Sequence, residues 1–132
     1  MGVPTVTSDQ ITVWLKDQDL ELEVFDEFPT DMTKARHGVY VNDPATIDRS
    51  PYQLGITTGG WIYTATDGFR IILVTFQGDN RRNKAVEAIQ NIVNSEDLLE
   101  GYHERDYVMS QDYLNRAEYR TYDFSVKRME FQ

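Results

Sequence analysis

The sequence predicts an α+β domain, a mainly antiparallel β-sheet with two α-helices packed on it. Three observations predict it. Ala85, Val86, Ile89, Ile92 and Val93 recur at steps of three and four, the apolar stripe of an amphipathic helix. Ile71-Ile72-Leu73-Val74 is apolar at every position, as a strand covered on both faces must be, by a helix or by a neighbouring subunit. Near the end of the chain Tyr122, Phe124 and Val126 alternate on one face, the period of a strand.

The chain has 132 residues, the length of one domain, taken as 1–132. Along it, Thr7-Ser8-Asp9-Gln10 reads as a capping box, a Thr at the N-cap with Gln three residues later. Ile11, Trp14 and Leu15 then follow at helical spacing to about Gln18, while Ile11, Val13 and Leu15 also fit the alternation of a strand. Leu20, Leu22 and Val24 alternate with Glu21, Glu23 and Phe25 as a short strand closed by Pro29. Gly38-Val39-Tyr40-Val41 is a second, stopped by Asn42-Asp43-Pro44. Residues 43–60 hold Pro44, Pro51, Gly55, Gly59 and Gly60 and read as a long loop, which would project toward a partner. Trp61–Thr66 and Phe69–Phe76 flank Asp67-Gly68, the dipeptide of a type I′ hairpin turn. Asp79 or Asn80 can cap the second helix, which runs to about Asn94, and residues 95–99 can add a turn. Tyr102–Met109 and Ala117–Phe131 complete the sheet, joined through residues 110–116. The expected core is Ile71 and Leu73 against Val86, Ile89 and Val93.

Composition removes several classes of function. Apolar residues make up 40% and charged residues 27%, a globular balance. With no cysteine there is no disulfide, thiolate metal site or cysteine nucleophile. The start of the chain lacks the basic and apolar regions of a signal peptide, and Val6 stands where myristoylation needs Ser or Thr. The longest apolar run, Ile71–Val74, is too short to span a membrane. The net charge is −9, from 13 Lys and Arg against 22 Asp and Glu. Sequence-specific nucleic-acid binding needs a concentrated basic surface, and an acidic chain also disfavours anionic lipid. Acidity remains compatible with a surface that DNA passes without sticking.

No catalytic, cofactor or metal site is expected. His103-Glu104-Arg105-Asp106 lies on a strand, where neighbouring side chains point to opposite faces, and a metal needs three or four convergent ligands. A calcium loop starting at Asp17 would need Gly and Glu where Leu22 and Phe28 stand. The glycines of 55–60 form no phosphate-binding pattern, and there is no nucleophile elbow. The candidates are for subunit contact. Arg81, Arg82 and Lys84 crowd the start of a helix, the positive end of its dipole. Glu21, Glu23 and Asp26 supply opposite charge on another segment, so the two groups are expected to meet across subunits, in a contact that salt would weaken. Pro51, Tyr52 and Leu54 offer apolar contacts on the long loop.

This order of elements resembles the tail-terminator (tail-completion) and neck proteins of long-tailed bacteriophages, which are acidic α+β proteins of similar length. The segment from Arg120 to Phe131 resembles their final strand, and Gly38-Val39-Tyr40-Val41 their early strand. The resemblance lies in layout, over most of the chain, rather than in a diagnostic motif. It implies a homo-oligomeric ring, a hexamer, that caps the tail tube and joins it to the head-tail connector. Such a ring would be built in the host cytoplasm and end in the virion tail, with DNA passing through an acidic lumen. The alternatives are another neck component or a tail-tube protein, an acidic inhibitor or DNA mimic, and an enzyme with a dispersed site.

Overall fold

In the computed structural model, α1 spans Ser8–Lys16 and β1 Glu23–Phe25, followed by β2 (Gly38–Val41), β3 (Ala45–Thr57) and β4 (Gly60–Phe76). Then come α2 (Arg81–Asn91) with a 3-10 turn over Ile92–Asn94, β5 (His103–Asp112) and β6 (Ala117–Phe131). The structure describes residues 6–31, 36–57, 60–94, 98–99, 101–114 and 116–131, with the backbone alone over 51–57, 60–62 and 130–131. The six strands make one sheet in the order β1-β2-β4-β6-β5, and β3 also pairs with β4. All ladders are antiparallel except β1 on β2. This is the α+β architecture the sequence predicts.

The helices form where the capping chemistry places them. The Thr7 hydroxyl accepts from the Gln10 N–H (3.3 Å), and the Gln10 amide oxygen accepts from the Thr7 N–H (3.0 Å). This capping box opens α1, which buries Ile11 and Leu15. At α2 the capping oxygen belongs to Asp79, whose Oδ1 accepts from the Arg81 N–H at 2.9 Å. Asn80 makes no capping bond. Strand β1 is shorter than the alternation predicts, because Asp19 and Glu21 have positive φ (55° and 62°) and turn the chain around buried Leu20.

Strand β4 occupies the centre. On one face Phe69, Ile71 and Leu73 meet Val39, Val41, Tyr122 and Phe124 under Ile11, Leu15, Ala85, Ile89 and Ile92. Of the expected core, Ile71, Leu73 and Ile89 are fully buried, and Val86 and Val93 pack on its rim. On the other face Ile72 and Val74 form a second cluster with Tyr40, covered by Phe25, Phe28 and Tyr119. Both covers come from this chain, so no neighbouring subunit is needed to bury β4.

Two expected features are corrected. The long loop at 43–60 is largely strand: β3 runs from Ala45 to Thr57 and pairs with β4 from Ala45↔Gly68 to Thr57↔Gly60. The ladder slips between Thr46 and Asp48 and again between Pro51 and Ile56. Pro is tolerated on a strand with a free edge, and Gly and Pro mark such irregularities, so the residues that suggest a loop are those of an irregular edge strand. The side chains of Pro51, Tyr52 and Leu54 lie outside the described residues, as do residues 95–97 of the extra turn expected over 95–99.

The second correction concerns Asp67-Gly68, which is not a turn. Strand β4 runs unbroken through it, with Asp67 opposite Val126 and Gly68 opposite Ser125 of β6. Asp67 is buried. Its Oδ2 accepts from Arg128 Nε at 2.7 Å, and its Oδ1 accepts from Arg128 Nη2 (3.3 Å) and Thr46 Oγ1 (2.8 Å). These contacts tie β3, β4 and β6 together. At Gly68 the glycine supplies space rather than positive φ: a Cβ there would sit 3.1 Å from the Phe124 carbonyl oxygen. Beyond this node, among the residues whose side chains are described, the core clusters take no member from β4, and the backbones of β3, β4 and β6 continue as a three-stranded extension of roughly 25 Å.

Replacing Ile89 by Ala should cost about 2–5 kcal/mol, because a fully enclosed side chain leaves a cavity. Arg128→Ala should cost about 3–5 kcal/mol, since it leaves the Asp67 carboxylate buried and without its cation. Urea melts measure both. A loss under about 0.5 kcal/mol in either variant would contradict the packing described.

Candidate functional site

Burying a carboxylate without a partner is costly, and among the described residues three are buried. Asp67 is held by Arg128, Asp79 by Arg81, and Glu118 by both Arg82 and Arg120. The cations at the start of α2 answer these demands. Arg81 grips Asp79 with Nε (3.1 Å) and Nη2 (2.9 Å), donates Nη1 to the Glu21 carbonyl oxygen (3.3 Å), and lies over the Phe76 ring. Arg82 reaches Glu118 on β6 at 3.2 Å. Lys84 is exposed.

The expected charge partners are therefore only partly brought together. Arg81 and Glu21 meet, but within one chain and through the Glu21 backbone. Glu23 faces Arg36 at 3.8 Å, with both side chains well exposed, and Asp26 is exposed. The dipole conflict that singled out the cations is resolved locally: the Asp79 carboxylate sits at the positive end of α2 and carries Arg81 with it. Arg81 holds the Asp79 carboxyl below its usual pKa, first by side-chain hydrogen bonds and then by its backbone N–H.

Conventional active-site features are sparse. Among the described residues no three His, Asp or Glu side chains group as a metal site requires. His37 packs against Phe76, and His103 opens β5 on the surface. An open cleft of about 240 Å³ is lined by Asn42, Arg70, Arg105, Asp123 and the Phe69–Phe124 ring pair. Arg70 is already bound to Asp123 through Nε (2.7 Å) and Nη2 (3.2 Å). Tyr122 is fully buried against Tyr107 and Phe124, and its hydroxyl has no hydrogen-bond partner. Burial, then the neighbouring Tyr107, push this phenol up to about 12, against the opposing pull of the Arg120 cation. A phenol protonated to that degree neither accepts a proton nor attacks at neutral pH.

The surface is more informative. Strand β5 ends the sheet order and pairs only with β6 among the described strands. Such an edge presents unpaired N–H and C=O groups to any strand that approaches. It also carries Tyr107, Val108 and Met109 in the open, and its turn toward β6 ends in Tyr113 and Leu114, 77% and 91% exposed. Apolar exposure concentrated on a free edge marks a contact surface. A second apolar surface lies on α1, where a groove of about 410 Å³ is lined by Val13, Trp14 and Leu98, with Asp9, Gln10 and Asp17 around it. None of these residues is among the contact candidates read from the sequence. The signals were present: Val13 falls off the Ile11–Leu15 stripe, and Tyr113-Leu114 sits apolar inside a polar connection.

No protein-family model matches this chain, and no curated protein matches it in sequence. Among the described residues, no helix is long and apolar enough to cross a membrane.

Asp79 gives a pH prediction. Its folded pKa is lowered, so its contribution to stability is complete above the ordinary carboxylate range and is lost as pH falls through the folded value. Asp79→Ala should destabilise by about 1 kcal/mol at neutral pH through loss of the cap. In urea melts stepped down from pH 7, the gap between wild type and Asp79→Asn should narrow on acidification. A gap independent of pH would show that the charge of Asp79 does not contribute.

Proposed function

We propose that this chain is a bacteriophage virion structural protein, a tail terminator whose copies join in a ring that caps the tail tube and meets the head-tail connector. The observation that carries the reading is the exposed apolar edge of β5 with its Tyr113–Leu114 turn, a surface suited to assembly. The three-stranded extension supports it, since it reaches away from the core on a base fixed by Asp67, Arg128 and Thr46. The α+β fold suits the resemblance to phage tail-terminator and neck proteins, whereas the long loop and the hairpin of that layout are replaced here by the strands β3 and β4. A net charge of −9 suits a ring through which DNA slides, because it offers phosphate no strong attraction.

In this reading the mechanism is assembly in the host cytoplasm, followed by residence in the virion. The ring, a hexamer by the resemblance, caps one interface and offers another. Because Arg81 and Arg82 are paired within the chain, this reading rests the ring on apolar contact instead, and the expected salt effect changes sign. Acidic copies repel, and salt screens that repulsion over a Debye length that falls from about 10 Å at 0.1 M to about 3 Å at 1 M. Sedimentation and mass measurement of the purified protein, alone and with tail-tube protein, test this. A single closed species should form, persist or strengthen at 1 M salt, and limit tube length. A monomer at every concentration, with or without tube protein, overturns the reading, and open-ended polymers would make it a tube protein instead.

A further inference from the structure

The turn between β5 and β6 and the groove on α1 have matching chemistry and lie on different sides of the fold. We propose that the Tyr113–Leu114 turn of one copy seats in the Val13–Trp14–Leu98 groove of the next. This contact rests on the ring reading and specifies how its subunits meet.

The turn is built as a projecting knob. Leu114 and Tyr113 are among the most exposed apolar side chains described. Behind them the backbone is fixed: Gln77 N–H donates to the Arg116 carbonyl oxygen at 2.9 Å, and Arg116 itself adopts φ 53°. The β6 side of the turn is therefore anchored before any partner arrives, which reduces the ordering cost of binding. The exposed Arg116 follows it. Asp112, on its other side, is half-buried near Tyr119.

The groove is built as the receiving surface. Asp9, Val13 and Asp17 follow one another at steps of four, so they share one line along α1. Val13, 58% exposed, lies between two carboxylates on this line, and Trp14 and Leu98 add apolar surface to the groove. An apolar side chain flanked by a cation fits this arrangement, and Leu114 with Arg116 is such a pair. Helix α1 packs on β1 and β2, at one end of the strand order, and β5 lies at the other. Knob and groove thus belong to different patches of the same chain, as a heterologous, repeating contact requires.

The chain has no cysteine, so introduced thiols are the only ones present. Val13→Cys and Leu114→Cys, one carrying a mass tag, are mixed and mildly oxidised, with Gln90→Cys on the exposed side of α2 as the comparison. The unlike Val13–Leu114 pair should cross-link about tenfold more than either pairing with Gln90→Cys, and the doubly substituted chain should give a covalent ladder that stops at the ring number. Leu114→Asp should raise the concentration needed for assembly by about tenfold with an unchanged circular dichroism spectrum, a shift of about 1.4 kcal/mol. If sedimentation shows the ring but the unlike pair cross-links no better than the comparison, this contact is wrong and the ring reading stands. Preferential Leu114–Leu114 linkage would also overturn it, in favour of a two-fold contact. Absence of any oligomer overturns both.

Discussion

The fold depends on a single constraint: β4 carries apolar side chains on both faces and must be covered on both. Ile71 and Leu73 face α1 and α2, and Ile72 and Val74 face the aromatic cover of Phe25, Phe28, Tyr40 and Tyr119. With both faces sealed, its two edges remain for pairing, and β6 takes one along almost the whole length. Strands β2 and β3 share the other in succession, β2 beside the core and β3 beside the extension. Position in the sheet then decides what each strand exposes. Strand β5 lies outermost beyond β6, so its outer edge and most of its side chains face solvent.

The buried carboxylates form a second layer of organisation. Each sits where elements must be joined: Asp67 where β3, β4 and β6 run together, Glu118 between β6 and α2, and Asp79 at the entry to α2. An ion pair in such a place adds little net stability compared with well-packed apolar groups, but leaving half of it unpaired is costly. That asymmetry gives these pairs their use here. A wrong strand register would strand a charge in the interior, so the pairs favour one arrangement over its neighbours.

Much of this was legible in the sequence, and the failures share a cause. The stripe from Ala85 to Val93, the Thr7 capping box and the apolar quartet of β4 speak for themselves, because each is a local pattern with a local cause. Asp67-Gly68 misleads because the same dipeptide serves two ends: a type I′ turn uses its tolerance of positive φ, whereas β4 uses a buried acid and a missing Cβ. Residues 43–60 mislead because Pro and Gly mark edge irregularities as well as loops. Arg81 and Arg82 look unpartnered because their acids are either next door, at Asp79, or thirty-six residues away, at Glu118. None of these long-range choices is written in spacing alone.

The pairing of the arginines also bears on how such a chain can associate. Arg70, Arg81, Arg82, Arg120 and Arg128 all hold acids of their own chain. Cations so engaged are less available to a second copy, and the whole chain still carries −9. Attraction between copies therefore cannot come from bulk charge, which is repulsive, and exposed ion pairs add only about 0–1 kcal/mol each. Apolar contact has to supply most of it, at roughly 25 cal/mol for each Å² removed from water. Exposed apolar side chains on β5 and its turn are the material available for that, and exposed charges such as Arg116 and Asp9 can select the register without carrying the energy.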